Sequence, residues 1–152
     1  MEIVKLVVTG LLGAAGFAVL FSTKPKHIPF AAIGGAIATF VYVVLDIVGV
    51  NLFVSNFMAT LVCVIYSNIL ARLLKTPSMV FITASIIPLV PGGALFYAMS
   101  NLILGDSIAA KLYSFNALQV ALGIAGGIVI ESLIVTVMTK IIRTKKTSDA
   151  NK

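Results

Sequence analysis

Long apolar runs alternate along this chain with short polar segments, and each run has about the length of a bilayer-spanning helix. Such a helix needs roughly 20 predominantly apolar residues. The intervening segments TKPKH, GVN, KTPS and GDSIAAKLYS are polar. The pattern therefore predicts an all-α integral membrane protein with five transmembrane helices, at Val4–Ser22, Ile28–Val48, Leu52–Leu74, Met79–Leu104 and Phe115–Ile142.

These spans form a single five-helix transmembrane domain over residues 1–143, and residues 144–152 are predicted to be a disordered cytoplasmic tail. Composition agrees, because 60% of the 152 residues are hydrophobic and only 11% are charged, whereas soluble domains carry about 25% charged residues. The first run is interpreted as a membrane helix and not as a signal peptide, since no clean small-residue cleavage site follows it. We expect a multi-pass protein of a prokaryotic cell (inner or cytoplasmic) membrane, surrounded by membrane lipid.

The basic residues form short clusters between the apolar runs. They are not interleaved with aromatic residues on one face, so the net charge of +6 reflects membrane topology and not nucleic-acid binding. With the N-terminus outside, all of the lysines and arginines except Lys5 and Lys111 lie on the cytoplasmic side. This positive-inside pattern predicts an external N-terminus and a cytoplasmic C-terminus. His27, beside Lys24 and Lys26, is interpreted as part of an interfacial basic cluster.

Small residues recur at four-residue spacing within three of the spans. The stripes are Gly10, Ala14 and Ala18 in the first span, Ala59, Cys63, Ser67 and Ala71 in the third, and Gly123 and Gly127 in the fifth. Such stripes let helix backbones approach closely in lipid, either within one chain or at a subunit interface, including that of a homo-oligomer. A single Cys and a single His provide neither a disulfide framework nor a Cys/His metal site, and no cofactor is expected.

The fourth span is interrupted by IIPLVPGGALFY, residues 86–97. Pro88 and Pro91 each remove a backbone donor and clash with the preceding turn, at a cost of roughly 3 kcal/mol or more inside a helix. The sequence thus predicts two half-helices, Met79–Ile87 and Gly92–Leu104, joined by an unwound segment near mid-membrane. Thr76 is the predicted N-cap of the first half, with Pro77 in its first turn.

A half-helix that begins inside a membrane presents unpaired N–H groups and a positive dipole end. Secondary transporters place substrate and ion sites at such broken helices, although a proline kink that only shapes the helix is the alternative. Tyr97 and Asn101 follow Gly93 on one face, and either residue also suits an interfacial position near the outer surface. The candidate substrate-binding residues are Pro88, Pro91, Gly92, Gly93, Tyr97 and Asn101.

Glu131 lies near the middle of the last span and shares a helix face with Gln119, Gly123 and Gly127. Ionisable residues at this depth are rare, face the bundle interior and are functional candidates by default. We consider two roles for Glu131: binding of a coupling proton, or pairing with a Tyr, Ser or Thr side chain that only supports packing.

Residues 77–106, PSMVFITASIIPLVPGGALFYAMSNLILGD, resemble the signature of the threonine/serine exporter (ThrE-type) family. The most specific part is IPLVPGG, followed by an aromatic residue and a later GD; IPFAAIGGAIATFVYVVL and the glycine-bearing last span are also similar. The likeness is to the small, membrane-only half of these exporters. It implies the small subunit of a split exporter, whose partner is a larger five-span subunit with a soluble N-terminal domain.

The resemblance also implies export of threonine and serine, driven by the membrane potential or a proton gradient, and some split relatives are associated with dicarboxylates such as succinate. The leading interpretation is a membrane subunit of a secondary transporter that exports small carboxylate metabolites. The alternative is a non-transporting structural or assembly subunit of a membrane complex. An enzyme is not indicated, because neither an HExxH motif nor a Ser/Lys or paired-Asp arrangement at plausible spacing is present.

Overall fold

A computed structural model describes residues 2–136, and later residues enter only through the bounds of the last helix. The α-helices are α1 (Glu2–Leu20), α2 (Ile28–Ile47), α3 (Leu52–Leu74), α4 (Met79–Ile86), α5 (Gly92–Ile103) and α6 (Ser107–Ala150). Helices α1, α2, α3 and α6 are each long and apolar enough to cross a membrane, and α4 with α5 forms a fifth candidate span, bent by 45°. The predicted all-α fold with a broken fourth span is confirmed; the predicted tail, residues 144–152, lies outside the described residues.

Two predicted boundaries are wrong because local capping differs from expectation. The last helix begins at Ser107 and not at Phe115, since the Asp106 carboxylate accepts hydrogen bonds from the backbone N–H groups of Ile108 and Ala109 at 3.2 and 3.0 Å. Thr76 does not cap α4: the N-cap is Ser78, and the Thr76 hydroxyl donates to the Leu74 carbonyl at 3.1 Å.

Successive spans run in opposite directions, so the bundle has two distinct ends. The N-terminal end holds the start of α1 and the turns α2–α3 and α5–α6, whereas the basic end holds the turns α1–α2 and α3–α4. The α1–α2 turn carries Lys24 and Lys26, and the α3–α4 turn carries Lys75. The assignment of the basic end to the cytoplasm stays a prediction from the distribution of charge.

The small-residue stripes are used for packing inside the chain. A Cβ atom added to Gly35 of α2 would overlap the Ala14 side chain and lie 2.9 Å from the Gly10 carbonyl oxygen of α1. On α6, a Cβ atom at Gly123 would lie 2.6 Å from the Phe53 carbonyl oxygen of α3. Backbones therefore touch at the α1–α2 and α3–α6 crossings, as expected where packing and not hydrophobicity drives association in lipid.

Helix α4 occupies the centre of the bundle, whereas α5 lies at its edge. Ser85 on α4 is buried and donates to the Ala31 carbonyl of α2 at 2.9 Å. Cys63 on α3 is fully buried in the core cluster that also contains Ile82 and Ile86 of α4, as predicted for a small packing residue. By contrast, α5 packs mainly against α6 and has a single buried residue, Ala98.

The close α1–α2 crossing generates a stability prediction. Gly35→Ala should destabilise the protein by about 1–3 kcal/mol, because the added methyl group overpacks the contact with α1. Gly16→Ala is the matched control, since no atom lies within 4 Å of a Cβ at Gly16. Thermal unfolding of both variants in detergent measures the difference, and an equal unfolding temperature for the two would contradict the assigned crossing.

Candidate functional site

The chain changes conformation three times between α4 and α5. Ile87–Leu89 form a single 3-10 turn, Val90 is extended, and α5 begins at Gly92. Pro88 lacks the N–H that would normally bond to the Ala84 carbonyl, which ends α4. The turn is closed by Val90 N–H donating to the Ile87 carbonyl at 3.0 Å. The predicted break between Pro88 and Gly93 is therefore present.

Other parts of the bundle cover one side of the break. The Pro88 ring packs beside Gly13 of α1 and Gly35 of α2, where the absence of side chains leaves room for it. Leu89 is only 7% exposed and belongs to the central core cluster. Irregular backbone at membrane depth is tolerated only when it is buried in protein or lines a cavity, and this side of the break meets the first condition.

The other side of the break opens into a cavity of about 620 Å³ toward the N-terminal end, here called the break cavity. Of the predicted site residues, Pro88, Pro91, Gly93 and Tyr97 line it. Gly92 and Asn101 are not part of its lining, and Asn101 instead donates to the Tyr97 carbonyl at 2.8 Å within α5. Polar side chains in the lining come from five helices: Thr9, Thr39, Tyr42, Asn56, Tyr97, Tyr113 and Asn116.

The first turn of α5 supplies backbone donors to the break cavity. The N–H groups of Gly93 and Ala94, both in its lining, have no acceptor among the described residues. No side chain caps this helix N-terminus, and a Cβ at Gly93 would have no atom within 4 Å. A ligand can therefore approach this backbone closely, and the helix N-terminus favours a negatively charged group.

Side chains from neighbouring helices complete the polar lining. The rings of Tyr97 and Tyr113 lie 5.3 Å apart between centroids, which links α5 to α6. The buried Asn56 amide donates to the Leu52 carbonyl at 2.8 Å, so its side-chain oxygen is available as an acceptor. The sequence prediction missed Tyr42, Asn56, Tyr113 and Asn116. Each of these residues is a polar side chain inside or beside an apolar run, and this could have marked it as a candidate. Only the packing of the spans, however, shows which polar side chains meet at the break.

Glu131 lines a second cavity of about 550 Å³, here called the carboxylate cavity. The side chain is 5% exposed, which confirms its predicted place in the bundle interior. Its carboxylate accepts a hydrogen bond from the Asn68 amide of α3, which also donates to the Val64 carbonyl at 3.0 Å. One of the two roles considered for Glu131 was pairing with a Tyr, Ser or Thr side chain; its hydrogen-bond partner is instead Asn68. Hydroxyl groups in the lining are those of Ser78, Thr83, Ser132 and Thr136.

The two cavities lie on different sides of the break. Asn116 of the break cavity and Glu131 are separated by roughly 22 Å along α6, at 1.5 Å per residue. Between them α6 is pressed against α3 at Gly123 and Gly127. Ile87 lines the carboxylate cavity, whereas the next residue, Pro88, lines the break cavity. Glu131 is therefore not a wall of the break cavity.

The Asn68–Glu131 contact generates a second prediction. Asn68→Ala should destabilise the protein by about 1–3 kcal/mol, because it leaves a buried carboxyl group without its hydrogen-bond donor. Asn101→Ala is the control, since that amide bonds only within its own helix. Unfolding in detergent, measured for both variants, tests the contact. Equal stability of the two variants would show that the amide contributes little.

Comparison with known proteins gives one family. The family model described as "Threonine/Serine exporter, ThrE" matches residues 6–134, which include most of α1, all of α2 to α5 with the break, and the part of α6 that contains Glu131. No curated protein and no solved structure gives a significant match to the chain.

Proposed function

The chain belongs to the threonine/serine exporter (ThrE) family, and on that premise we propose that it is a membrane subunit of a secondary transporter that exports small carboxylate metabolites. It is a multi-pass membrane protein of a transporter family and not of an enzyme family. We place it in the cytoplasmic membrane of a prokaryote, with its basic end toward the cytoplasm, as the distribution of lysine and arginine predicts.

The break cavity is the proposed substrate site. The observation that carries this proposal is the uncapped start of α5, where the free N–H groups of Gly93 and Ala94 meet a polar cavity. Backbone donors at a helix N-terminus bind a carboxylate without requiring a lysine or arginine in the membrane. The tyrosine hydroxyls and asparagine amides around the cavity are suited to the remaining polar groups of a small substrate.

The charge of the lining favours an amino acid over a dicarboxylate. No charged side chain belongs to the lining of the break cavity, all of which lies within residues 2–136. A zwitterion such as threonine or serine has no net charge, and its ammonium and hydroxyl groups can bond to neutral oxygens such as that of Asn56. A dianion such as succinate would bring a second carboxylate into a site with no cation, so we propose threonine and serine first and succinate as the competing substrate.

Glu131 is the proposed site of proton coupling. Its carboxyl group is buried, has the Asn68 amide as partner and lies beside several hydroxyl groups that a proton or water can use. The carboxylate cavity is also lined by Ile86 and Ile87, at the end of the half-helix that leads into the break. This shared lining supports a route by which the protonation of Glu131 acts on the break, although the two sites do not share a cavity.

We further propose that a larger five-span subunit with a soluble N-terminal domain is the partner, with a homo-oligomer as the competing assembly. The support is the position of α5 at the edge of the bundle. Its large side chains Phe96, Met99 and Leu102 are 62–67% exposed within this chain. The substrate site is therefore walled on one side by a helix that has little protein around it, and a partner subunit would complete that wall.

A pair of glycine variants tests the substrate site. Gly93→Leu should reduce threonine export by about tenfold or more, because the new side chain occupies the break cavity and displaces a substrate from its aligned position. Gly92→Leu should export nearly as well as the wild type, since Gly92 has the same open surroundings but is not part of the lining. Efflux of labelled threonine from cells that express the chain with its partner measures this, and equal export by the two variants would exclude the break cavity as the site.

Glu131→Gln tests proton coupling and separates it from the alternative of a non-transporting assembly subunit. The substitution keeps the shape and a hydrogen-bond acceptor for Asn68 but removes the titratable group. Export by the variant should no longer respond to an imposed pH gradient, while assembly with the partner, measured by co-purification, is unchanged. An unaltered response to the gradient would refute the coupling role, and loss of assembly would favour the structural alternative.

A further inference from the structure

A third cavity of about 550 Å³ lies at the basic end, between the α1–α2 turn and the α3–α4 turn, and is here called the basic cavity. It belongs to neither of the sites described above. Its polar lining consists of Ser22, Thr23, Lys24, His27, Lys75 and Thr76.

His27 is part of the lining of this cavity. It lies in the basic α1–α2 turn, as the sequence predicted, but it packs against Phe81, with ring centroids 5.5 Å apart, and is only 3% exposed. The Nε2 atom lies 3.4 Å from the Thr76 hydroxyl oxygen. The same hydroxyl oxygen lies 3.1 Å from the Leu74 carbonyl oxygen.

The other ring nitrogen of His27 is left without a partner. Nδ1 is buried and has no hydrogen-bond partner among residues 2–136. A buried polar group without a partner is unfavourable, and Nδ1 has almost no accessible surface through which a ligand could reach it.

The basic cavity is positively charged, which favours binding of an anion. Lys24 and Lys75 line it, and no acidic residue is part of the lining, which lies entirely within the described part of the chain. Three of the carboxylates on residues 2–136, those of Glu2, Asp46 and Asp106, lie at the opposite end of the bundle. The fourth, Glu131, lines the carboxylate cavity and not this one.

The apolar part of the lining faces the lipid. Phe21 and Met79 are 52% and 66% exposed within this chain, and Pro77 and Val80 lie beside them. A soluble anion makes no favourable contact with this apolar surface. A ligand with an anionic headgroup and an apolar chain contacts both parts of the cavity, and basic pockets between membrane helices are known sites for anionic headgroups.

We propose that the basic cavity binds one anionic phospholipid, with its phosphate on Lys24 and Lys75 and its acyl chain against the apolar part of the lining. Phosphatidylglycerol has both parts. The lipid then bridges the α1–α2 and α3–α4 turns, which stabilises the start of α4 and thereby the half-helix that leads to the break. The proposal does not depend on the transported substrate.

The test compares lipid binding by the full-length chain and two variants. Lys24→Gln/Lys75→Gln removes both charges from the cavity, and Lys26→Gln is the matched control, because Lys26 lies in the same turn but outside the lining. Retention of phosphatidylglycerol by the delipidated, detergent-solubilised protein is measured by native mass spectrometry, and the shift in unfolding temperature is measured with phosphatidylglycerol, phosphatidylcholine or inorganic phosphate.

We expect the wild type and Lys26→Gln to retain one phosphatidylglycerol and to be stabilised by it, but not by phosphatidylcholine. The double variant should bind about fivefold more weakly for each lysine removed. Folding of the variants without lipid is checked by elution volume and unfolding temperature. Equal binding by all three proteins would overturn the proposal, and so would stabilisation by inorganic phosphate equal to that by the lipid, since this would assign the cavity to a soluble anion.

Discussion

The absence of water from the bilayer interior is the constraint on which the rest of this structure depends. Every backbone N–H and C=O group at that depth must find a partner in the protein or in a hydrated cavity. Helices α1, α2, α3 and α6 meet this requirement because each is continuous. The span formed by α4 and α5 does not, because Pro88 and Pro91 have no backbone N–H and interrupt the helix. The bundle has to cover one side of that break, and the other side becomes the place where an external ligand can bond to backbone.

Close packing by small residues occurs between the levels of the two cavities. Gly123 and Gly127 bring α6 into backbone contact with α3 at this level. The two cavities face opposite ends of the bundle, and the break lies between them. The proposed substrate and coupling sites would therefore communicate through movement of a shared element, and α4 with its following turn contributes to the lining of both cavities.

The distribution of polar groups follows the same logic. The break cavity is lined by neutral donors and acceptors, and the start of α5 adds the positive end of a helix dipole. Within residues 2–136, the one buried carboxyl group lies in the carboxylate cavity, where Asn68 is its hydrogen-bond partner. Lys24 and Lys75, at the ends of spans, border a third cavity with a buried histidine. Each cavity therefore has its own chemistry, which matches a zwitterion, a proton and an anionic headgroup in the proposals made above.

Much of the fold is readable from the amino-acid sequence, because the length of an apolar run, a Pro-x-x-Pro-Gly-Gly segment and four-residue stripes of small residues act locally. These features predicted five spans, the position of the break and the burial of Glu131. Asp106 is also a local signal for the start of a helix, but the sequence prediction missed it because the segment is polar and was interpreted as a connection between spans. The grouping of residues into sites was decided only by the tertiary structure. Tyr97 meets Tyr113, Glu131 meets Asn68, and Gly92 and Asn101 fall outside the break cavity, because the rotation of each helix about its axis is determined by its contacts with the others and not by its own sequence pattern.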